Sequence, residues 1–293
     1  MVIPTRDEQI ALRDITLHCV QWGTQGTPIV LLHGLTANAF CFQSFADALE
    51  PEYRVIAYDL RGRGDSSKPP TGYSVPIHAA DLAQLIDTLQ IQRPIIIGHS
   101  LGALIALYFA ANYPEKLSKL VLIDAGGPLP WSTPEEQPAW LTLSIQRLGA
   151  RVPSYEDYVA RLKLAPFLGA YWNEFTDIYI QHDVHRFADG SVAAKASRDA
   201  ILEEGMNYPL AAPEQQWAHV QVPTLLLRAG QGLFSDNDQL LPEQTAAAIE
   251  QHIAHCRTIN YPTLNHYTII LAVEPGPIQD IQRFIQASIT EGK

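Results

Sequence analysis

The chain has 293 residues, of which 47% are hydrophobic and 17% charged. That is enough apolar material for one large α/β domain or a domain carrying an insertion, and it excludes a mostly disordered chain. The formal net charge of −11 comes with no basic run, which argues against a nucleic-acid partner and otherwise reads as a solubility feature.

Taken in chain order, residues 10–14 and 16–21 read as a hairpin of early strands, with Gly23 to Gly26 as the next turn. Ile29-Val30-Leu31-Leu32 is a wholly apolar run that ends at His33-Gly34 and predicts a buried strand. Residues 54–58 predict another, ending at Asp59. Leu82, Leu85, Ile86 and Leu89 fall at i, i+3, i+4 and i+7, one face of a helix. A third apolar strand, Pro94-Ile95-Ile96-Ile97, leads into Gly98-His99-Ser100-Leu101-Gly102, and a strong helix former follows over 101–112, stopped by Pro114. Leu120-Val121-Leu122-Ile123 is a strand ending at Asp124. Strands alternating with helical patterns predict a mostly parallel sheet with helices on both faces.

The alternation stops near Gly126-Gly127. Residues 128–217 are rich in proline and aromatics, among them Trp131, Trp140, Phe167, Trp172 and Trp217. Helical pieces are predicted at 134–148, 154–164, 171–182 and 193–206, and no buried strand. The β pattern resumes at Thr224-Leu225-Leu226-Leu227, followed by a helix at 242–253, a strand at 257–261 and a last helix near 276–288. The expected partition is a core domain from 1–127 and 218–293, with a helical cap inserted at 128–217.

Ser100 sits where a strand turns sharply into a helix. Such a joint strains the serine backbone, and the glycines two residues to either side let the chains pass closely. The hydroxyl is presented at a helix N-terminus, and the amide of Leu101 points where a developing oxyanion would sit. Asp59-Leu60-Arg61-Gly62-Arg63-Gly64 lacks the G-K-[ST] ending of a phosphate loop and opens no helix. His182 and His185 flank Asp183 at helical spacing, but an exposed helix face explains them better than a metal. Cys19, Cys41 and Cys256 are scattered, without a C-x-x-C; they point to a reduced compartment, with neither a disulfide framework nor a zinc site. The first residues carry no apolar signal core, and the longest apolar stretch is too short to span a bilayer. The expectation is a soluble cytoplasmic protein with no membrane partner, no metal and no organic cofactor.

Four segments together resemble the α/β-hydrolase superfamily: Leu32-His33-Gly34-Leu35, Asp59 to Ser66, the turn at 98–102, and Leu264-Asn265-His266 after the last strand. The resemblance covers residues 28–127 and 222–290 and implies that fold with a helical cap. It implies Ser100 as nucleophile, His266 as base, and an oxyanion hole from the amides of Leu35 and Leu101. It implies chain order serine, acid, histidine, which puts the acid on the loop after the strand at 224–228. There Asp236 is preferred as nearer the strand end. Asp238 has the spacing to His266 that resembles the family's, and Asp124 is the third choice because some relatives move the acid there. His99 and His33 read as structural, and Asp59 and Arg61 as braces of a loop beside the site. A serine nucleophile excludes the branches that use aspartate, such as haloalkane dehalogenases and epoxide hydrolases. The implied activity is that of a serine carboxylesterase acting on small to medium uncharged esters. A lactonase or a carbon–carbon bond hydrolase on the same triad is the enzymatic alternative, and a small-molecule receptor with little turnover is the alternative from another class.

Overall fold

The computed structural model describes residues 1–131 and 136–287. Its strands are β1 (Arg6–Ala11), β2 (Thr16–Trp22), β3 (Thr27–Leu32), β4 (Tyr53–Tyr58), β5 (Ile95–His99), β6 (Lys119–Ile123), β7 (Arg151–Val152), β8 (Val184–Arg186), β9 (Val192–Ala194), β10 (Thr224–Ala229) and β11 (Cys256–Tyr261). The helices are α1 (Gln43–Leu49), α2 (Val75–Thr88), α3 (Leu101–Asn112), α4 (Ala139–Gln146), α5 (Tyr155–Lys163), α6 (Pro166–Gly169), α7 (Glu174–Asp183), α8 (Arg198–Met206), α9 (Pro213–Gln216), α10 (Glu243–His252) and α11 (Gly276–Gln286).

Eight strands form one sheet in the order β1-β2-β4-β3-β5-β6-β10-β11. The pairs β1–β2 and β2–β4 are antiparallel, and the rest are parallel. Each central strand has a continuous apolar middle because both of its faces are covered, and the polar residues such as Lys119, His99 and Arg228 stand at or near strand ends. Ile29 and Leu31 of β3 join a core completed by Phe45 of α1 and Ile281 of α11. Val30 and Leu32 join a second core with Leu82 of α2, Leu104 of α3 and Ile249 of α10. The period-two alternation of the pleat therefore persists inside a continuous hydrophobic run and sorts it between two cores.

The helix α1 that follows β3 and the helix α3 that follows β5 pack on opposite faces, although the two strands are neighbours. Connections that depart in opposite directions leave a crevice beyond the strand ends, the place where open α/β sheets bind ligands. Residues 34–35 and Ser100 lie at that crevice.

The predicted sheet elements lie close to the observed ones. The first strand begins earlier than expected, at Arg6, where exposed polar residues pair with β2 along the sheet edge. Within 128–217 the expectation of helices alone is corrected. β7, β9 and β8 form a small antiparallel sheet, so residues 193–194, expected to open the helix at 193–206, belong to strand β9 instead. Two- and three-residue strands are too short for a periodicity to register. The expected helix at 134–148 begins partly outside the described residues and is observed as α4; position 288 of the last expected helix also lies outside them. No described helix is long and apolar enough to cross a membrane.

Candidate active site

Ser100 stands between β5 and α3 with φ 57° and ψ −123°. A non-glycine residue there stores on the order of 1–3 kcal/mol of backbone strain, which the surroundings must hold. They do so through the Ser100 amide, bonded to Ile123 O at 3.1 Å, and through close packing of the flanking chains. A Cβ on Gly98 would lie 2.1 Å from Gly102 O, and one on Gly102 would lie 2.1 Å from Leu32 O. Only glycine permits this crossing.

His266 Nε2 lies 3.0 Å from Ser100 Oγ, and its Nδ1 lies 2.7 Å from Asp124 Oδ2. Asp124 Oδ1 accepts from the Ala229 amide at 2.9 Å. The aspartate sits at the end of β6 with a left-handed φ of 52°, and both it and His266 are buried. Burial pushes the Asp124 carboxyl above its ordinary range, outweighing the pull of His266, the Ala229 amide and Arg228.

The preference for Asp236 as the partner of His266 is thereby corrected. Asp236 is exposed, and its described hydrogen bond is a backbone carbonyl accepting from Gln239. The 230–241 loop swings it outward, away from the buried imidazole. Asp238 spends its carboxylate on its own loop, accepting from the amides of Leu233 and Phe234 at 2.7 and 2.9 Å. Asp124 succeeds because β6 is the neighbour of β10 in the sheet.

The amides of Leu35 and Leu101 have no hydrogen-bond partner among the described residues. Arg63 Nε donates to Leu35 O at 3.0 Å and Arg147 donates to Thr36 O at 3.4 Å, so two guanidinium groups hold this turn. His33 Nδ1 donates to Gly34 O, and its Nε2 accepts from the Leu60 amide at 3.0 Å, which brings the loop after β4 alongside. His99 Nε2 donates to His266 O at 2.8 Å. Burial, and then repulsion from His266, keep His99 well below the ordinary histidine range, so it stays neutral and fixes the backbone of the His266 loop. Asp59 and Arg61 are bracing groups. Asp59 accepts from the amides of Ala39 and Asp65, and Arg61 pairs with Asp81 through two contacts of 2.6 Å.

Above Ser100 opens a cavity of about 340 Å³, within the range of small-molecule sites. Leu35, Leu101 and Ile270 line it from the sheet domain, and Trp131, Trp140 and Tyr208 from the 128–217 segment. Glu204 is the one carboxylate or cation among the described lining residues. Sequence reasoning missed the pairing of Glu204 with Arg63: Glu204 belongs to no motif, Arg63 drew no separate role within the Asp59 to Ser66 segment, and the two meet only across 141 positions. His18, Asp59 and Asp65 bring ligating atoms within 4.8 Å of one another. Their lone pairs are engaged internally: Asp59 Oδ2 accepts from His18 and from the Asp65 amide, while Asp65 pairs with Lys195.

A family model for the alpha/beta hydrolase fold matches residues 27–273. A serine hydrolase-like protein of Danio rerio is 31% identical over 230 residues, covering 73% of this chain and 68% of that protein. Lipase 3 of Moraxella sp. (strain TA144) is 27% identical over 252 residues, 85% of this chain and 74% of the lipase. The crystal structure of an E-2-(acetamidomethylene)succinate hydrolase superposes with a TM-score of 0.83 at 24% identity, covering 96% of this chain and 99% of that one. Several other curated relatives are matched over less than half of their length.

Proposed function

The chain belongs to the α/β-hydrolase family, and from that premise we propose that it hydrolyses carboxylic esters of small to medium uncharged substrates through an acyl-enzyme on Ser100. Ser100 Oγ attacks the ester carbonyl while His266 Nε2 takes its proton. The oxyanion is received by the Leu35 and Leu101 amides. Collapse expels the alcohol, which takes the proton back from the imidazolium. Water activated by the same imidazole then attacks the acyl group and frees the acid. Asp124 holds His266 with Nδ1 protonated and stabilises the imidazolium. Residues 128–217 act as a cap that supplies the apolar wall of the cavity.

One observation carries this reading. A hydrogen-bonded chain runs from a buried carboxylate through an imidazole to a strained serine hydroxyl, at the edge of a cavity lined by no lysine or arginine among the described residues. A cationic clamp for a charged acid group is therefore missing from the described walls. The test is a panel of p-nitrophenyl esters, lactones and a vinylogous diketone, run on the wild type and on Ser100→Ala, with fluorophosphonate labelling in parallel. We expect ester turnover that falls on the order of 10⁵–10⁶-fold in Ser100→Ala, and labelling confined to Ser100. Turnover of the diketone alone would move the reaction to carbon–carbon bond cleavage. Binding without labelling or turnover would make the protein a receptor.

A further inference from the structure

Glu204 of α8 is almost fully buried, with 5% of its surface exposed. Its Oε2 accepts from His78 Nε2 at 2.6 Å and from Arg63 at 3.3 Å. Its Oε1 accepts no hydrogen bond among the described residues and is not among the sealed, unpartnered polar atoms. The other buried carboxylates differ. Asp59, Asp81 and Asp124 each use both oxygens. Asp183 leaves one oxygen open but does not line the cavity. Among the described buried carboxylates, Glu204 alone combines an open oxygen with a place in the cavity wall.

A carboxylate withdrawn from water costs several kcal/mol unless its lone pairs are satisfied. His78 and Arg63 satisfy one oxygen and offset the charge; burial alone would raise the Glu204 pKa, and these two partners hold it below the ordinary range. The remaining oxygen is a charged acceptor in a wall whose other described polar groups, such as Thr36, Gln137, Ser144 and Tyr208, include no further carboxylate. Because Arg63 already balances the charge, that oxygen suits a neutral donor better than an ammonium group.

We propose that Glu204 is a specificity-determining residue whose open oxygen accepts a hydrogen bond from an N–H or O–H group of the substrate, away from the scissile ester. The substrate class narrows to uncharged esters that carry a donor, such as an amide or a hydroxyl. This rests on the ester-hydrolase reading, so the test separates the two.

The probes are methyl esters of N-acetylglycine, N-acetyl-β-alanine and N-acetyl-4-aminobutyrate, each matched to the keto ester in which CH₂ replaces N–H: 4-oxopentanoate, 5-oxohexanoate and 6-oxoheptanoate. Affinity is measured by calorimetry on Ser100→Ala, and turnover by pH-stat on the wild type. At one chain length the N–H member should bind about 10- to 100-fold tighter than its CH₂ partner, the worth of a hydrogen bond to a charged group. Turnover should carry the same preference in KM more than in kcat.

In the Ser100→Ala, Glu204→Gln double variant the preference should collapse. The glutamine must turn its oxygen toward Arg63 and His78, leaving an amide N–H, a donor, facing the cavity. Equal affinity within every pair, or no binding of any, overturns the proposal and leaves Glu204 a structural tie between α8 and the core. This comparison needs only the Ser100→Ala protein, so it holds even where Glu204→Gln fails to fold. Absent turnover on the wild type, with the binding preference intact, would instead overturn the hydrolase reading alone.

Discussion

Asp124 occupies a left-handed backbone position directly after β6, and its two oxygens are split between the Ala229 amide and His266. An asparagine there keeps the size but offers its amide nitrogen or its oxygen to His266, not both at once. It also removes the charge that stabilises an imidazolium. Asp124→Asn should therefore lower kcat on an ester by about 10⁴-fold with a smaller change in KM. Asp236→Asn, an exposed change, should leave turnover within about two-fold. Stopped-flow and steady-state assays on the two purified variants decide between them; the opposite ranking would return the acid to the 230–241 loop. Ser100 was legible because it directly follows the apolar run of β5 in a recognisable turn, and His266 because it stands in the loop after the last strand. The carboxylate that meets His266 was not, because several strand ends in an α/β sheet carry aspartate, and only the order β6–β10 says which of them faces the histidine. That order is a long-range fact with no local signature. Glu204 and Arg63 were illegible for the same reason, as a pair formed between segments with unrelated patterns.

Helix α11 shows how elements are fastened to the sheet. Its last carbonyls have no partners inside the helix, and Lys119 at the start of β6 supplies them. Nζ donates to Phe284 O, Ile285 O and Ala287 O at 3.0, 2.7 and 2.8 Å. A cation at a helix C-terminus also meets the negative end of the dipole. Lys119→Met keeps the stem and removes the head, stranding three carbonyls at once. The expected loss is about 1–3 kcal/mol of unfolding free energy, read as a lower urea midpoint at an unchanged m-value. An unaltered midpoint would mean that water replaces the ammonium at no cost. The sheet elements themselves were readable because a strand covered on both faces must be apolar along its length, and α3 has no polar stripe for the same reason. In the 128–217 segment the pattern weakens. The strands β7, β8 and β9 present two or three residues each, and the aromatics of this segment serve the large cores they share with the sheet and the cavity wall together.

At the scale of the whole molecule, two buried histidines oppose each other across the pH range. Burial pulls the His18 ring down, but hydrogen bonds and charge from Asp59 and Asp7 outweigh it and raise its pKa to about 9. Burial dominates at His33 and lowers its pKa to about 4. Both start from an ordinary value near 6.5 in the unfolded chain. A raised folded pKa gives stability that is fully present below 6.5 and is lost as pH climbs through about 9. A lowered one works in reverse: the unfolded chain takes the proton first, so stability falls as pH drops from 6.5 toward about 4. His99, held down by burial and by His266, adds to the same acid limb. Asp59, which burial would raise, is held at about 2 by His18, His33 and the Asp65 amide, so the ion pair persists from acid pH until His18 itself loses its proton near 9. Unfolding free energy should therefore crest near pH 6.5 and decline on both sides. Urea titrations at closely spaced pH values would trace the crest for the wild type and for His18→Asn. The variant should lose most of the alkaline decline and keep the acid one. A variant whose alkaline limb runs parallel to the wild type would assign that limb to other groups, and would make the His18–Asp59 pair a contact of geometry without pH-linked energy.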